Sequence, residues 1–143
     1  MKKIAIVYWS GTGNTEKMAQ CIAEGVGEAG GEAVLMGPAE FSVPLLSQYG
    51  AVAFGCSAMG SEELEELEFA PMFSAVEGAL GGRTIALFGS YGWGDGQWMR
   101  DWCARCEEAN ANLLQPQGLI INEMPDEAGQ ELCRQLGRDL VNG

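Results

Sequence analysis

The chain has 143 residues, 47% of them hydrophobic, and sets 8 Lys plus Arg against 20 Asp plus Glu for a formal net charge of −12, with no histidine. That size supports one domain around one core, and so anionic a surface excludes binding to nucleic-acid phosphates and a polybasic contact with membranes. The missing histidine excludes Ser–His–Asp triads and HExxH zinc sites.

The five cysteines, Cys21, Cys56, Cys103, Cys106 and Cys133, are odd in number and widely spread. The N-terminal apolar run from Ile4 to Trp9 is too short for a secretion signal or a membrane span. Together these point to reduced thiols in a cytoplasmic protein. No internal repeat or linker interrupts the chain, which reads as a single domain over residues 1–143.

Short apolar runs alternate with amphipathic segments. Lys3–Trp9 reads as a first strand. From Asn14 to Gly30, Met18, Cys21, Ile22, Gly25 and Val26 mark one helical face that ends at Gly30–Gly31. Ala33–Met36 is a second strand, broken by Gly37–Pro38, and Ala51–Gly55 a third, almost wholly apolar. Phe69, Phe73, Val76 and Leu80 recur at helical spacing, with Pro71 suited to the first turn. Thr84–Phe88 is a fourth strand. Trp98, Met99, Trp102, Cys103 and Cys106 mark the next helical face. Leu113–Leu114 and Leu119–Ile121 form a fifth strand interrupted by Pro116–Gly118. Leu132, Cys133, Leu136, Gly137, Leu140 and Val141 form the last helical stripe. Five apolar strands alternating with four helices imply an α/β fold with a parallel sheet covered on both faces. The expected order is 2-1-3-4-5, doubly wound, with ligands beyond the carboxyl ends of the strands.

Three loops leave that edge. Ser10-Gly11-Thr12-Gly13-Asn14-Thr15 follows the first strand and opens the first helix. Glycines there let the backbone approach a ligand, and exposed helix-start N–H groups favour an anion. Hydroxyls and an amide complete a phosphate cradle of neutral dipoles, although Ser, Thr and Asn are also ordinary helix caps. Neither the P-loop lysine nor the third glycine of the dinucleotide fingerprint is present. The second loop, Cys56 to Glu62, offers Ser57 as a further donor and Met59 as a polarizable thioether that either meets a flat ligand or fills a core gap. The third, Ser90 to Gly96, sets Trp93 among three glycines, either to stack on a ligand or to fold back on the sheet. The three loops together suit a flat cofactor with a phosphorylated tail.

The stretches YWSGTGNTEKMA, GCSAMGSEELEE, ALFGSYGWGDGQWMRDW and NEMPDEA resemble the short-chain flavodoxins of anaerobic bacteria, in that family's order and over essentially the whole chain. The resemblance implies bound flavin mononucleotide (FMN), no metal, and transfer of single electrons at low potential between redox enzymes. It implies that Ser10, Gly11, Thr12, Gly13, Asn14 and Thr15 hold the phosphate, with Ser57 and Ser90 assisting. Met59, beside Ala58, would cover the inner face of the isoalloxazine and Trp93 the outer. Glu62 would accept a hydrogen bond from flavin nitrogen 3. Backbone groups of Gly92 and Trp93 would lie near the pyrimidine end, with Tyr91 and Gly94 also among the cofactor-binding residues. Gly60 would turn its carbonyl toward nitrogen 5 once the flavin holds one electron and one proton, and Ser61 would complete that turn. Ser61 departs from the Asp, Asn or Gly common in the family, residues that better tolerate a positive φ. Ser61→Gly is expected to enlarge the semiquinone fraction in a redox titration, and an unchanged fraction refutes the turn argument.

The charge pattern fits those expectations. A phosphate held without Lys or Arg stays an uncompensated negative centre. Glu62, Glu63, Glu65, Glu66, Glu68 and Asp95 crowd the same edge, so an anionic hydroquinone is disfavoured and a neutral semiquinone is not. The same glutamates suit docking of redox partners with basic faces, ferredoxin-type oxidoreductases among them, to a monomer. Cys103 and Cys106 form a CxxC without a second pair and read as buried thiols. Trp9, Trp98 and Trp102 either shield the site or fill the core. A small FMN-dependent NAD(P)H:quinone or nitro reductase is the competing function, but it needs more chain for a substrate pocket. A receiver module lacks its acidic phosphoacceptor, with Cys56 and Ser57 in that place. A low-molecular-weight phosphatase lacks its arginine, replaced by Glu62.

Overall fold

The computed structural model describes residues 2–11, 13–59 and 63–143. Its elements run β1 (Lys3–Trp9), α1 (Asn14–Glu28), β2 (Glu32–Met36), β3 (Ala51–Cys56), α2 (Phe69–Glu77), β4 (Thr84–Tyr91), α3 (Gln97–Glu108), β5 (Asn112–Leu113), β6 (Leu119–Asn122) and α4 (Glu127–Asn142). Two 3₁₀ turns, Pro38–Glu40 and Val43–Gln48, carry the chain from β2 to β3. Each carries a proline in its first two positions, Pro38 and Pro44, in a stretch that periodicity alone leaves as loop.

The sheet is parallel in the order β2-β1-β3-β4-β5, with β6 also paired to β4. This is the doubly wound order expected from the alternation of strands and helices. The fifth position is split. Asn112 and Leu113 pair with Thr84 and Ile85, and Leu119 to Asn122 pair with Phe88 to Tyr91. Pro116, which lacks a backbone N–H to donate, lies in the gap between the two.

Strand residues alternate between two cores because successive side chains point to opposite faces. Ala5 and Val7 join Phe54, Leu87 and the apolar faces of α2 and α3, including Phe69, Phe73, Trp98 and Trp102. Ile4 and Ile6 join Ala53, Phe88 and the apolar faces of α1 and α4, including Met18, Ile22, Leu136 and Leu140. All of β3 is buried, as its apolar composition predicts for a central strand. Trp98 and Trp102 fill the first core, at 2% and 1% exposure. On that side Phe54, Phe73, Phe69 and Trp102 meet edge to face, with ring centroids 5.3 to 5.6 Å apart. All five cysteines are buried and unpaired by disulfides. Burial pushes the Cys103 thiol up to about 11 and the Cys106 thiol to about 12, so neither holds a thiolate near neutral pH.

Candidate functional site

The three loops meet at the carboxyl ends of β1, β3 and β4, and a single hydroxyl ties them together. Thr15, fully buried in the first turn of α1, has its Oγ1 2.6 Å from Ser57 Oγ and 3.2 Å from Ser90 Oγ. The Ser90 backbone N–H donates to the same Thr15 oxygen at 3.2 Å. The Ala58 N–H donates to the Ser90 carbonyl at 3.1 Å, which joins the second loop directly to the third.

The start of α1 is open. Its cap residue, Gly13, takes φ 96°, a left-handed conformation that a side chain would strain, and among the described residues no side chain caps the helix. The Gly13 N–H donates to Ser10 Oγ at 3.1 Å, which folds the first loop back on itself. The N–H groups of the first helical turn therefore keep their capacity for an outside acceptor. An anion is the acceptor that a helix start favours.

A cavity of about 320 Å³ adjoins these groups, lined by Trp9, Gly11, Asn14, Ser57, Ala58, Met59, Ser90, Tyr91, Gly92, Trp93 and Glu123. Two large apolar side chains on its wall remain uncovered: Met59 is 36% and Trp93 54% exposed. Among the described residues no Lys or Arg lines it. Open helix-start donors, three hydroxyls, a thioether and an indole fit a flat ring with an anionic tail, held by dipoles and stacking rather than by cations. A second cleft of about 610 Å³ shares Trp9 and Gly11 and runs past Gly13 toward β2, but Glu16, Glu40 and Glu68 line it and repel an anion. Burial, reinforced by Glu16, pushes the Tyr8 hydroxyl in that cleft above its ordinary value.

Most of the residues singled out in the sequence come together here. Nine of them line the cavity, Gly11, Asn14, Ser57, Ala58, Met59, Ser90, Tyr91, Gly92 and Trp93. Ser10, Gly13 and Thr15 organise the helix start behind it. Gly94 is outside the wall and turns the third loop with φ 82°. Thr12, Gly60, Ser61 and Glu62 lie outside the described residues. Trp9 resolves as part of the cavity wall, unlike Trp98 and Trp102 in the core.

Glu123 was missed by the sequence reading. It follows β6 at the same sheet edge, with φ 58°, and its N–H donates to the Tyr91 carbonyl at 2.8 Å. Asn122 Nδ2 donates to that carbonyl too, at 3.1 Å. The rule that ligands sit at strand carboxyl ends could have found this fourth loop.

Two acidic residues are not the free surface charges expected from the glutamate run. Glu65 is 7% exposed. Its carboxylate accepts the N–H groups of Leu67, Glu68 and Phe69, each at 2.8 Å, and so caps α2. Burial alone would raise its pKa, but those three donors outweigh it and hold the carboxyl below its ordinary range. Asp95 pairs with Arg100, Oδ1 to Nη2 at 3.0 Å.

Comparison with known proteins agrees with this architecture. The flavodoxin family model matches residues 6–137. A flavodoxin of Clostridium beijerinckii is 44% identical over 137 residues, 96% of this chain and 98% of the relative. One of Megasphaera elsdenii is 42% identical over 134 residues, 94% and 95% of the two chains. The solution structure of two-electron reduced Megasphaera elsdenii flavodoxin superimposes with a TM-score of 0.88 at 41% identity, covering 98% of this chain and 99% of that one. The chain belongs to the flavodoxin family, whose members carry electrons on bound FMN and work with partner proteins.

Proposed function

We propose that this flavodoxin moves single electrons at low potential between cytoplasmic redox enzymes, with FMN seated in the cavity at the ends of β1, β3 and β4. The observation that carries this reading is the Thr15 hydroxyl hub joining all three loops beside a cavity whose wall leaves Met59 and Trp93 uncovered. FMN supplies the redox chemistry, and the chain supplies position and electrostatics. Ser10 through Thr15, with Ser57 and Ser90, bind the phosphate through neutral donors. Met59 and Trp93 flank the ring, and Tyr91, Gly92 and Gly94 shape the loop at its pyrimidine end. Gly60 and Ser61, outside the described residues, would answer the first reduction through the Gly60 carbonyl, and Glu62 would accept a hydrogen bond from flavin nitrogen 3.

The protein acts as a carrier and turns over no substrate of its own. An anionic phosphate without a cationic partner, in a chain of net charge −12, makes each further negative charge on the ring unfavourable. A reduction that leaves the ring anionic would thereby be disfavoured relative to one in which a proton enters with the electron, which would separate the two steps. Anaerobic titration of the FMN-loaded protein with dithionite tests this, with absorption spectra expected to change in two resolved one-electron steps. A colourless protein that takes up no FMN, or a single two-electron step, refutes it. The purified protein alone is expected to leave NAD(P)H unoxidised, and turnover would favour the reductase reading.

A further inference from the structure

Tyr91, the last residue of β4, holds its carbonyl between two donors from the end of β6. The Glu123 N–H donates to it at 2.8 Å and Asn122 Nδ2 at 3.1 Å. Asn122 stands opposite Tyr91 in the sheet register, which lets so short a side chain reach across. Glu123 makes its bond from φ 58° and is one of two non-glycine residues with positive φ among the described residues. Glutamate seldom adopts that conformation, which persists where the surroundings enforce it. The consequence falls on the next peptide. Ser90 faces β3: its N–H donates to Thr15 Oγ1 and its carbonyl accepts the Ala58 N–H. Tyr91 turns its carbonyl the other way, toward β6. In a planar trans peptide the N–H points opposite to the carbonyl. The Gly92 N–H is thereby returned to the side of Ala58 and Met59, across the cavity that all three residues line. Among the described residues no backbone carbonyl accepts it. The far end of the loop is fastened by Arg100, whose Nη1 donates to the Asp95 carbonyl at 3.1 Å and whose Nη2 donates to Asp95 Oδ1 at 3.0 Å. Gly92, Trp93 and Gly94 lie between these two anchors.

We propose that Asn122 is a positioning residue for the flavin. With the Glu123 N–H it locks the Tyr91 carbonyl onto β6, and the lock keeps the Gly92 N–H in the cavity as a donor to a carbonyl oxygen of the ring. The proposal rests on the reading that FMN occupies this cavity, and it adds the side chain behind the third loop that orders it. Without Asn122 a single donor is left on the Tyr91 carbonyl. The Tyr91–Gly92 peptide then rotates more freely, and more of the loop must be ordered when the ring binds. The loss falls on the ring end of the cofactor and leaves the phosphate end, held by the start of α1, as it was.

The test titrates the apoprotein with FMN and follows flavin fluorescence. Asn122→Ala is expected to weaken binding roughly three- to tenfold, the effect of one lost hydrogen bond. Asn112→Ala is the control, because Asn112 Nδ2 makes a similar cross-strand bond, to Thr84 Oγ1, at the opposite end of β4. It is expected to change affinity less than about twofold. NMR of the FMN-loaded proteins locates the effect. The Gly92 amide proton is expected to move upfield in Asn122→Ala, while the phosphorus signal of bound FMN keeps its wild-type position. Unchanged affinity in Asn122→Ala, equal weakening by Asn112→Ala, or a static Gly92 amide beside a displaced phosphorus signal overturns the proposal. Wild-type protein that takes up no FMN refutes the FMN reading itself, whereas wild-type uptake with an unaltered variant refutes the lock alone.

Discussion

Thr15 shows how much a single hydroxyl can organise. It satisfies the buried Ser90 N–H and bonds to the hydroxyls of two other loops. Thr15→Val keeps the shape and removes every one of those bonds. Leaving the buried donor unmet costs about 1–3 kcal/mol, and FMN affinity is expected to fall about tenfold, equivalent to about 1.4 kcal/mol. Fluorescence titration of the apoprotein with FMN measures this, and an unchanged dissociation constant would remove Thr15 from the site. Glu65 carries a different prediction. Its folded carboxyl sits below its ordinary value, so its stabilising effect is complete above the unfolded value, about 4.3, and is lost as pH falls through the folded one. Glu65→Gln is expected to lower stability at pH 7 by about 1.5–3 kcal/mol, the range for bonds to charged groups, and to flatten the loss between about pH 5 and pH 3. Urea denaturation at several pH values reads both, and parallel pH curves for the two proteins would refute the role. From sequence, Glu65 is indistinguishable from its neighbours Glu63 and Glu66. Only the turn that places three N–H groups around it sets it apart.

Among the elements, α1 and α4 pack most closely, side by side and parallel, with Arg134 bonded to Glu24 and Arg138 to Glu28. The approach depends on two glycines. A Cβ on Gly25 would lie 1.9 Å from the Arg134 carbonyl oxygen, and one on Gly137 would lie 2.0 Å from that of Ile22. Gly25→Ala and Gly137→Ala are each expected to destabilise the fold by about 2–3 kcal/mol through forced separation of the helices. Gly27→Ala, where a Cβ meets nothing within 4 Å, is expected to stabilise it by about 0.5–1 kcal/mol, because alanine is the better helix former. Thermal or urea melts of the three variants decide this, and equal effects would discard the packing argument. The 3.6-residue stripe through Gly25 and Gly137 was visible in the sequence, but not that the two stripes face each other. The strands were legible because buried parallel strands are uniformly apolar. The split of the last strand was half legible: Pro116–Gly118 marked the break, yet pairing of both halves to β4 is a tertiary outcome. The helix from Phe69 stops at Glu77, short of Leu80, which is buried beyond the helix end and so keeps the apolar pattern going.

At the scale of the whole molecule, the site was legible where short-range chemistry defines it and hidden where distant segments converge. Glycine, hydroxyl and aromatic residues in the three strand-end loops announced a ligand edge. Glu123 reaches the same cavity from the end of β6, and Asp95 loses much of its field to Arg100, and neither outcome follows from local sequence. The net charge of −12 was legible from the start, and its consequence is kinetic. A cationic partner is drawn in by the summed field and an anionic reductant is repelled. Raising ionic strength from about 0.01 M to about 0.15 M shortens the screening length from about 30 Å to about 8 Å. Reduction of a basic haem protein such as cytochrome c by the reduced flavodoxin is therefore expected to slow by roughly tenfold or more. Reduction of the oxidised flavodoxin by dithionite, an anion, is expected to accelerate over the same range. Stopped-flow measurement of both reactions separates the field from general salt effects on the fold, because a structural change would move both rates in one direction. If both rates do fall together, the acidic surface is not what guides the partner to the flavin edge.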